Sequence, residues 1–356
     1  MTRVVSVATA FPPHAYDQPE ITAAFAEVVL GASRQDDHRV LERIHRATGV
    51  QRRHLALPLE TYAGMAGFGA TNDAFIDVGV DLGAEAVSKA LADVGLTPAD
   101  VDVVMTTTVT GVAAPSLDAR LVPRIGLRDD VRRVPMFGLG CVAGAAGIAR
   151  LHDLVAGEPD AVAVLLSVEL CSLTVQRDDA SMANLVASGL FGDGAAAVVL
   201  VGDRRAAALG LDGPHVVATR SRLYPDTERV MGWDVGGSGF RIVLAASVAD
   251  VVEEHVGRDV KAFLGDHDLE VSDVGCWVAH PGGPKVLHAM TRTLGLPPDA
   301  LDRTWRSLEQ VGNLSSASVL HVLGTRLAEP RAPAATYDVM LAMGPGFCSE
   351  LVLLRW

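Results

Sequence analysis

The chain has 356 residues, a formal net charge of −13, 49% hydrophobic residues and only 5% aromatic ones. An acidic chain is a poor partner for nucleic acid, whose phosphates need a basic surface, and its longest apolar runs are strand-sized, so no membrane span is expected. Four scattered cysteines without a C-x-x-C pair argue against a zinc site and a disulfide framework, and they fit a reducing cytoplasm.

The first half of the chain alternates predicted strands and helices. Met1 leads directly into an apparent strand, so no secretory signal is expected. In chain order, the periodicities predict a strand at 3–10, helices at about 19–30 and 36–47, a long amphipathic helix over 72–94, a strand at 101–107, a helix at about 117–126, a strand at 134–137, a helix to about 156, a strand at 161–167, a polar helix at 180–188 and a strand at 195–201. This β-α-β-α-β order predicts an α/β sandwich with buried sheets.

A change of composition over 202–213 marks a boundary and divides the chain into 1–202 and 203–356. The second half repeats the first in outline. Its patterns predict helices at about 246–264, 284–295 and 315–327, and strands at 274–279, 337–342 and 348–355. We therefore predict two similar halves packed as one body.

The chain is organised around the stretch VPMFGLGCVAGAAGIAR, residues 134–150. An apolar strand ends at Phe137, glycines make a tight turn, and Cys141 follows at the start of a helix of very small residues. The N–H groups and the positive dipole end of a helix favour a thiolate there, which makes Cys141 a candidate nucleophile. The alternative is a buried structural cysteine, since free cysteines are among the most buried residues.

Two polar residues of the second half are candidates for partners of that sulfur. His280 ends an apolar strand and enters a Gly/Pro turn, the place where α/β folds carry their sites; a satisfied core histidine is the alternative. Asn313 lies at the start of a predicted helix, where its amide either caps the helix or donates to a developing oxyanion. The turn Gly344-Pro345-Gly346 either shapes a pocket floor or only connects a hairpin.

A basic island interrupts the acidic chain. It comprises the segment RVLERIHR at 39–46 and the segment QRRH at 51–54. Such an island is suited to the phosphates of an anionic carrier, but it also fits a solvated helix face.

With Cys141, His280 and Asn313 placed, the chain resembles the thiolase-fold condensing enzymes, and most of all the type III polyketide synthases of the chalcone and stilbene synthase superfamily. The resemblance runs from the first strand to the C-terminus. It rests on FGLGCVAG around Cys141, LFGDGAAAVVL at 190–200, WVAHPGGPKVL at 277–287, GNLSSASVL at 312–320 and MGPGF at 343–347. It implies an α/β thiolase-like fold of duplicated βαβαβ halves in a layered αβαβα sandwich.

The resemblance also implies roles for residues. Cys141 would carry the acyl group, and His280 and Asn313 would match the family histidine and asparagine that stabilise the enolate of malonyl-CoA. Phe191 and Phe240 match the phenylalanines that gate the passage between the coenzyme A tunnel and the cavity. Thr174, Ser315 and Met231 fall at cavity-lining positions. Arg43 and Arg46 fall near the residues that hold coenzyme A phosphates, and Lys285 is expected to face the carrier as well.

The mechanism expected from this set starts with a Cys141 thiolate kept by the His280 imidazole. It takes the acyl group of a coenzyme A thioester and is then attacked by the enolate left when malonyl-CoA or methylmalonyl-CoA loses CO₂. The thioester enolate is its own electron sink, so neither metal nor cofactor is expected, and the family implies a homodimer. The stretch MGWDVGGSGF, 231–240, resembles bacterial synthases that make alkylresorcinols or alkylpyrones from fatty acyl starters. The alternatives are a β-ketoacyl-carrier-protein synthase III, with a single condensation, and a non-catalytic acyl-CoA binding protein.

Overall fold

The computed structural model describes residues 1–30, 35–65, 67–177 and 179–356. The strands are β1 (Thr2–Ala10), β2 (His14–Asp17), β3 (Arg52–Leu55), β4 (Val103–Thr108), β5 (Arg132–Phe137), β6 (Val162–Leu170), β7 (Asp193–Gly202), β8 (His215–Leu223), β9 (Met231–Gly236), β10 (Gly239–Leu244), β11 (Val274–Ala279), β12 (Tyr337–Gly344) and β13 (Cys348–Arg355). The helices are α1 (Gln18–Phe25), α2 (Gln35–Ala47), α3 (Leu59–Tyr62), α4 (Gly67–Ala92), α5 (Leu117–Ile125), α6 (Ala143–Val155), α7 (Met182–Leu190), α8 (Asp203–Leu209), α9 (Val248–Val251), α10 (Gly257–Gly265), α11 (Pro284–Leu294), α12 (Asp302–Val311) and α13 (Ser316–Ala328).

The strand order repeats within the chain. Nine strands are hydrogen-bonded in the order β11-β12-β13-β8-β1-β7-β6-β4-β5. In the first half β4 and β6 are parallel, and β7 and β1 follow antiparallel. In the second half β11 and β12 are parallel, and β13 and β8 follow antiparallel. Among the described residues, the two sets of strands are joined by the β1–β8 pairs Thr2↔Val216 and Arg3↔His215. The predicted duplication is therefore confirmed.

The alternation of side chains along the buried strands defines five layers. In β6, Leu166 belongs to a core with α4 and α5, whereas Leu165 belongs to a core with α6 and α13. In β12, Met340 faces this same central core, and Leu341 faces a third core with α10 and α11. Both faces of both strand sets are thus covered by helices, as buried sheets require. The predicted αβαβα sandwich is confirmed.

The central layer depends on small residues. A Cβ added at Gly144 of α6 would lie 2.3 Å from the carbonyl oxygen of Ser316 in α13, and one at Gly147 would lie 2.5 Å from Leu165. The run of alanine and glycine after Cys141 therefore allows the two central helices to touch backbone to backbone. This contact brings the beginnings of α6 and α13 together.

The sequence patterns missed several elements, most of them in the region that follows the predicted boundary. The predicted boundary at 202/203 falls between β7 and α8, and α8, β8, the β9–β10 hairpin and α12 were not predicted. The hairpin forms a separate two-stranded sheet with exposed residues at its tip, so it lacks the apolar run of a core strand. Among the described residues, no helix has the length and apolar character needed to cross a membrane.

Candidate active site

The turn that carries Cys141 is shaped by glycine. Gly140 adopts φ +58°, and a Cβ at this position would lie 2.5 Å from Cδ of Pro345. The Gly344-Pro345-Gly346 turn therefore packs directly on the Cys141 turn, and the pocket-floor interpretation fits better than that of a plain hairpin connection. Cys141 lies in a short 3₁₀ turn that leads into α6, with only 8% of its surface exposed.

Ser315 links the sulfur to the other half of the chain. The Cys141 Sγ donates to Ser315 Oγ over 3.7 Å. Ser315 adopts φ +49°, which a residue with a Cβ rarely does, and it precedes α13 as its N-cap. Backbone strain of this kind persists only where the surroundings impose it. Here the Ser315 N–H donates to Asn313 Oδ1 at 2.8 Å, and the Ser315 carbonyl accepts from Ser318 at 3.1 Å.

Asn313 is held on three sides and is not the helix cap. Its N–H donates to the Leu190 carbonyl and its own carbonyl accepts from Gly192, both at 2.9 Å. Its Oδ1 accepts from the Ser315 N–H and, at 3.4 Å, from Ser318 Oγ. The side-chain oxygen is thereby engaged, and the NH₂ group remains as a donor for a ligand in the cavity.

His280 follows β11, and its N–H donates to the Leu341 carbonyl at 2.8 Å. The ring is 2% exposed, and its Nδ1 has no hydrogen-bond partner among the described residues. This burial lowers the pKa of His280 to about 3. His280 is therefore a neutral imidazole at neutral pH.

The expected thiolate at Cys141 is not what the structure favours. Burial raises the pKa of Cys141 to about 12; the Ser315 hydroxyl lowers this pKa, and the charge of Glu169 raises it. No hydrogen bond joins Cys141 and His280 in the described chain. Burial therefore acts against both charged forms, since it raises the pKa of the thiol and lowers the pKa of the imidazole.

A buried acidic residue, Glu169, acts on Cys141 through its charge. Glu169, at the end of β6, accepts from the Val109 N–H at 3.1 Å, from Thr110 Oγ1 at 2.9 Å and from Ser316 Oγ. Burial raises the pKa of this carboxyl group. Glu169 was not predicted, although an acidic residue inside the apolar run AVAVLLSVEL is an unusual signal. It connects the loop at Val109 with the first residue of α13.

Cys141, His280 and Asn313 line one cavity of about 490 Å³, the main cavity. Of the predicted substrate-binding residues, four also line it: Phe191, Ser315, Met231 and Lys285. The volume lies within the range of small-molecule sites. The structure thus brings together the three residues that the motifs singled out from opposite halves of the chain.

The other predicted substrate-binding residues lie elsewhere. Thr174 lines a side cavity of about 80 Å³, which shares Cys171 and Phe191 with the main cavity. Phe240 is buried behind the wall, its ring centroid 5.4 Å from that of Phe68 and 6.1 Å from that of Trp233. Phe240 is not among the residues that line the main cavity, whereas Trp233 and Ile242 of the same hairpin line it. The predicted role of Phe240 as a gating residue stays a prediction.

Arg43 and Arg46 are exposed on α2. Their neighbours Ile44 and Ala47 line the main cavity. The amphipathic helix α2 therefore presents its apolar residues to the cavity and keeps these two arginines in solvent beside it.

The apolar wall of the main cavity was largely missed. It comes from α7, with Met182 and Val186, and from the hairpin, with Trp233 and Ile242. Its signal is the period-two pattern of the hairpin, in which Trp233 pairs with Ile242. Within the described ranges, no group of three or more His, Cys, Asp or Glu residues is arranged to hold a metal ion.

Both halves of the chain match one family. Residues 1–204 match the N-terminal domain of the chalcone and stilbene synthases, and residues 215–356 match the C-terminal domain. The chain is 56% identical over 355 residues to a 1,3,6,8-tetrahydroxynaphthalene synthase of Streptomyces peucetius, with 100% of this chain and 93% of that protein covered. It is 33% identical over 364 residues to a putative chalcone synthase of Bacillus subtilis, with 100% and 99% covered.

A solved structure agrees over almost the whole chain. The crystal structure of 1,3,6,8-tetrahydroxynaphthalene synthase from Streptomyces coelicolor, described as a bacterial type III polyketide synthase, superposes with a TM-score of 0.92 at 29% identity and covers 99% of both chains. The predicted thiolase-like fold and the family resemblance are thereby confirmed. Fold, motifs and homology agree that this chain belongs to the chalcone and stilbene synthase family, and it is an acyl-transferring enzyme of the type III polyketide synthase class.

Proposed function

We propose that the protein condenses malonyl-CoA units on Cys141 and releases 1,3,6,8-tetrahydroxynaphthalene. The observation that carries this proposal is the 56% identity to a synthase of that name along the whole chain. The geometry supports it, because the thiol, the imidazole and the amide all line one cavity.

The loading step begins from the neutral pair. The Cys141 thiol attacks the thioester carbonyl while its proton passes to the His280 imidazole, and coenzyme A leaves with that proton as a free thiol. The neutral pair and the thiolate–imidazolium pair have the same net charge, so the transfer adds no net charge to the buried cavity. Bound substrate adds its own polar carbonyl group to the cavity, and this group interacts with the charges that develop on the pair.

The extension step needs donors rather than a charge. Decarboxylation of malonyl-CoA leaves an enolate whose oxygen accepts hydrogen bonds from the Asn313 NH₂ and from an N–H of neutral His280. The pKa of about 3 keeps this imidazole neutral. The enolate carbon attacks the acyl-cysteine carbonyl, the bond to Sγ breaks, and the extended chain returns to Cys141 from the coenzyme A thioester in the next round.

Coenzyme A is proposed to reach the main cavity beside α2 and the Gly282–Lys285 turn. Lys285 lines the cavity, and Arg43 and Arg46 are exposed on the neighbouring helix. Cationic side chains at this place fit the phosphates of the carrier. This assignment keeps the carrier role that the sequence predicted for the three residues.

The direct test is incubation with malonyl-CoA alone, followed by mass spectrometry and chromatography against authentic 1,3,6,8-tetrahydroxynaphthalene. We expect this product from the wild type and none from Cys141→Ala. Product formation by Cys141→Ala, or no aromatic product from malonyl-CoA, would contradict the proposal.

A fatty acyl starter, with an alkylresorcinol or alkylpyrone as product, is the second candidate. The apolar wall of Met182, Val186 and Ile242 favours it, since such a surface accommodates an alkyl chain. A panel of acyl-CoA starters with malonyl-CoA or methylmalonyl-CoA separates the two candidates. Several extensions on a fatty acyl starter would favour the second, and a single extension would indicate chemistry of the ketoacyl synthase III kind.

We also propose a homodimer formed through β5. In the part of the chain that the structure describes, this strand lies at the end of the nine-stranded sheet and pairs with β4, so its other edge is open. Phe137 at its end is 53% exposed, and Val112, in the loop after β4, is also exposed. Sedimentation should give twice the chain mass for the wild type and a lighter species for Phe137→Lys.

The four free thiols further support a reducing compartment, and we expect the cytoplasm.

A further inference from the structure

The β9–β10 hairpin is a wall of the main cavity that stands apart from the nine-stranded sheet. Its position therefore depends on contacts other than sheet hydrogen bonds. At its base, the Met231 carbonyl accepts from the Gly346 N–H at 3.2 Å, so the base is tied to the turn that packs on Cys141. The tip needs a separate anchor.

Gln176 is that anchor. Its side chain is 7% exposed, and its Nε2 lies 3.1 Å from the Phe240 carbonyl oxygen and 3.2 Å from the Ser238 carbonyl oxygen. The same nitrogen lies 3.1 Å from the carbonyl oxygen of Thr174. One amide group thus joins the hairpin tip to the segment that carries Cys171 and Thr174.

The surroundings hold Gln176 itself in place. The backbone carbonyl of Gln176 accepts a hydrogen bond from Asn184 Nδ2 of α7 at 2.8 Å. The next residue, Arg177, donates to the carbonyls of Tyr62, Ala63 and Met65, just before α4. Helix α4 carries Phe68, whose ring packs edge-on against Phe240. Gln176 therefore holds the Phe240 backbone directly. Arg177 holds the segment before α4, the helix that carries the Phe68 ring packed against Phe240.

We propose that Gln176 is a positioning residue that fixes the tip of the β9–β10 hairpin and thereby the space available to the growing chain. The inference rests on the proposed function, because it concerns the chain built on Cys141. The hairpin carries Trp233 and Ile242, which line both cavities. Without the amide, the tip loses its hydrogen bonds to Gln176, and this part of the wall moves. Chains are then released after fewer extensions, whereas loading of Cys141 continues.

The test compares Gln176→Met, which keeps the length of the side chain but removes its donors, with Gln310→Met at an exposed position of α12. In Gln176→Met we expect the ratio of shorter to full-length products to rise about tenfold, the ratio that corresponds to about 1.4 kcal/mol. Acylation of Cys141, followed by the mass of the intact protein, should stay within about twofold. Gln310→Met should match the wild type in both measurements.

Amide hydrogen exchange gives a readout that does not depend on activity. Peptides from 231–244 should exchange about tenfold faster in Gln176→Met, with no change over 257–265. If Gln176→Met does not fold, Gly239→Ala displaces the same tip, because its Cβ would lie 2.9 Å from Phe68 at a φ of +97°; the product ratio should shift in the same direction.

An unchanged product ratio or unchanged exchange at the hairpin would overturn the proposal. A loss of Cys141 acylation equal to the loss of full-length product would also overturn it, since that is the result of general destabilisation. A wild type that makes no polyketide would refute the proposed function instead, and hydrogen exchange would still decide whether Gln176 holds the hairpin.

Discussion

Replacing Ser315 should separate stability from reactivity. The residue holds φ +49° and accepts the hydrogen bond of the Cys141 thiol through Oγ. Ser315→Gly and Ser315→Ala both remove Oγ, but only glycine adopts this backbone conformation without strain. The two variants therefore differ in the backbone strain and in the greater freedom of glycine in the unfolded chain.

The magnitude follows from the strain and the chain length. A residue held at such a conformation costs about 1–3 kcal/mol, and the extra freedom of glycine in the unfolded chain costs about 0.5–1 kcal/mol. The net gain of the glycine over the alanine variant is about 0.5–2 kcal/mol. With about 2.1 cal/mol/K of unfolding entropy per residue over 356 residues, it corresponds to a rise in Tm of about 1–3 °C.

Both variants should make Cys141 less reactive than it is in the wild type. The hydroxyl lowers the pKa of Cys141, so its loss raises that pKa further. Alkylation of the Cys141 peptide by iodoacetamide, measured by mass spectrometry, should slow about three- to tenfold at pH 8 in each. A glycine variant no more stable than the alanine variant would refute the strain argument. Unchanged alkylation would refute the role of the hydroxyl.

Three further predictions concern the same cavity. His280 has its pKa lowered to about 3 by burial, so the unfolded chain binds a proton that the folded chain does not; folding stability should fall by up to about 1.4 kcal/mol per unit as the pH drops from 6.5 toward 3, and His280→Gln should flatten that slope in thermal denaturation. Gly144→Ala forces a Cβ to within 2.3 Å of the α13 backbone, so it should lower Tm and product yield together, whereas Gly157→Ala, with nothing within 4 Å, should change neither. Lys285→Ala should raise KM for malonyl-CoA about fivefold with little change in kcat if it binds a phosphate, while Lys261→Ala in α10 serves as the control; an equal KM for both would contradict the assignment.

Local sequence patterns predicted many of the strands and helices correctly. The strand predicted at 274–279 is β11 with the same limits, and the helices predicted near 117–126 and 284–295 agree within a residue. These elements are buried on regular faces, so their hydrophobic period reports their structure directly. The hairpin Met231–Leu244 was missed because glycine, aspartate and arginine alternate with its apolar residues, so that it lacks the continuous apolar run of the core strands.

The motifs predicted which residues share the site. They did not predict the protonation states of those residues, because these depend on packing against the other half of the chain. Cys141, His280 and Asn313 share the main cavity, as their motifs imply. The neutral charge state of the first two was not predicted, because burial by the opposite half raises one pKa and lowers the other. The wall formed by Trp233 and Ile242 depends on the pairing of β9 with β10, which no local pattern specifies.

The contact between Cys141 and Ser315 spans 174 positions of the chain. During synthesis, the thiol therefore emerges long before the second half that buries it, and the last strands, β12 and β13, complete the layer around it. A chain that ends before Asn313 carries Cys141 at the start of α6 without its partner helix, α13. Such a truncated chain would therefore keep the thiol but lack the Asn313 amide and the later residues that line the main cavity.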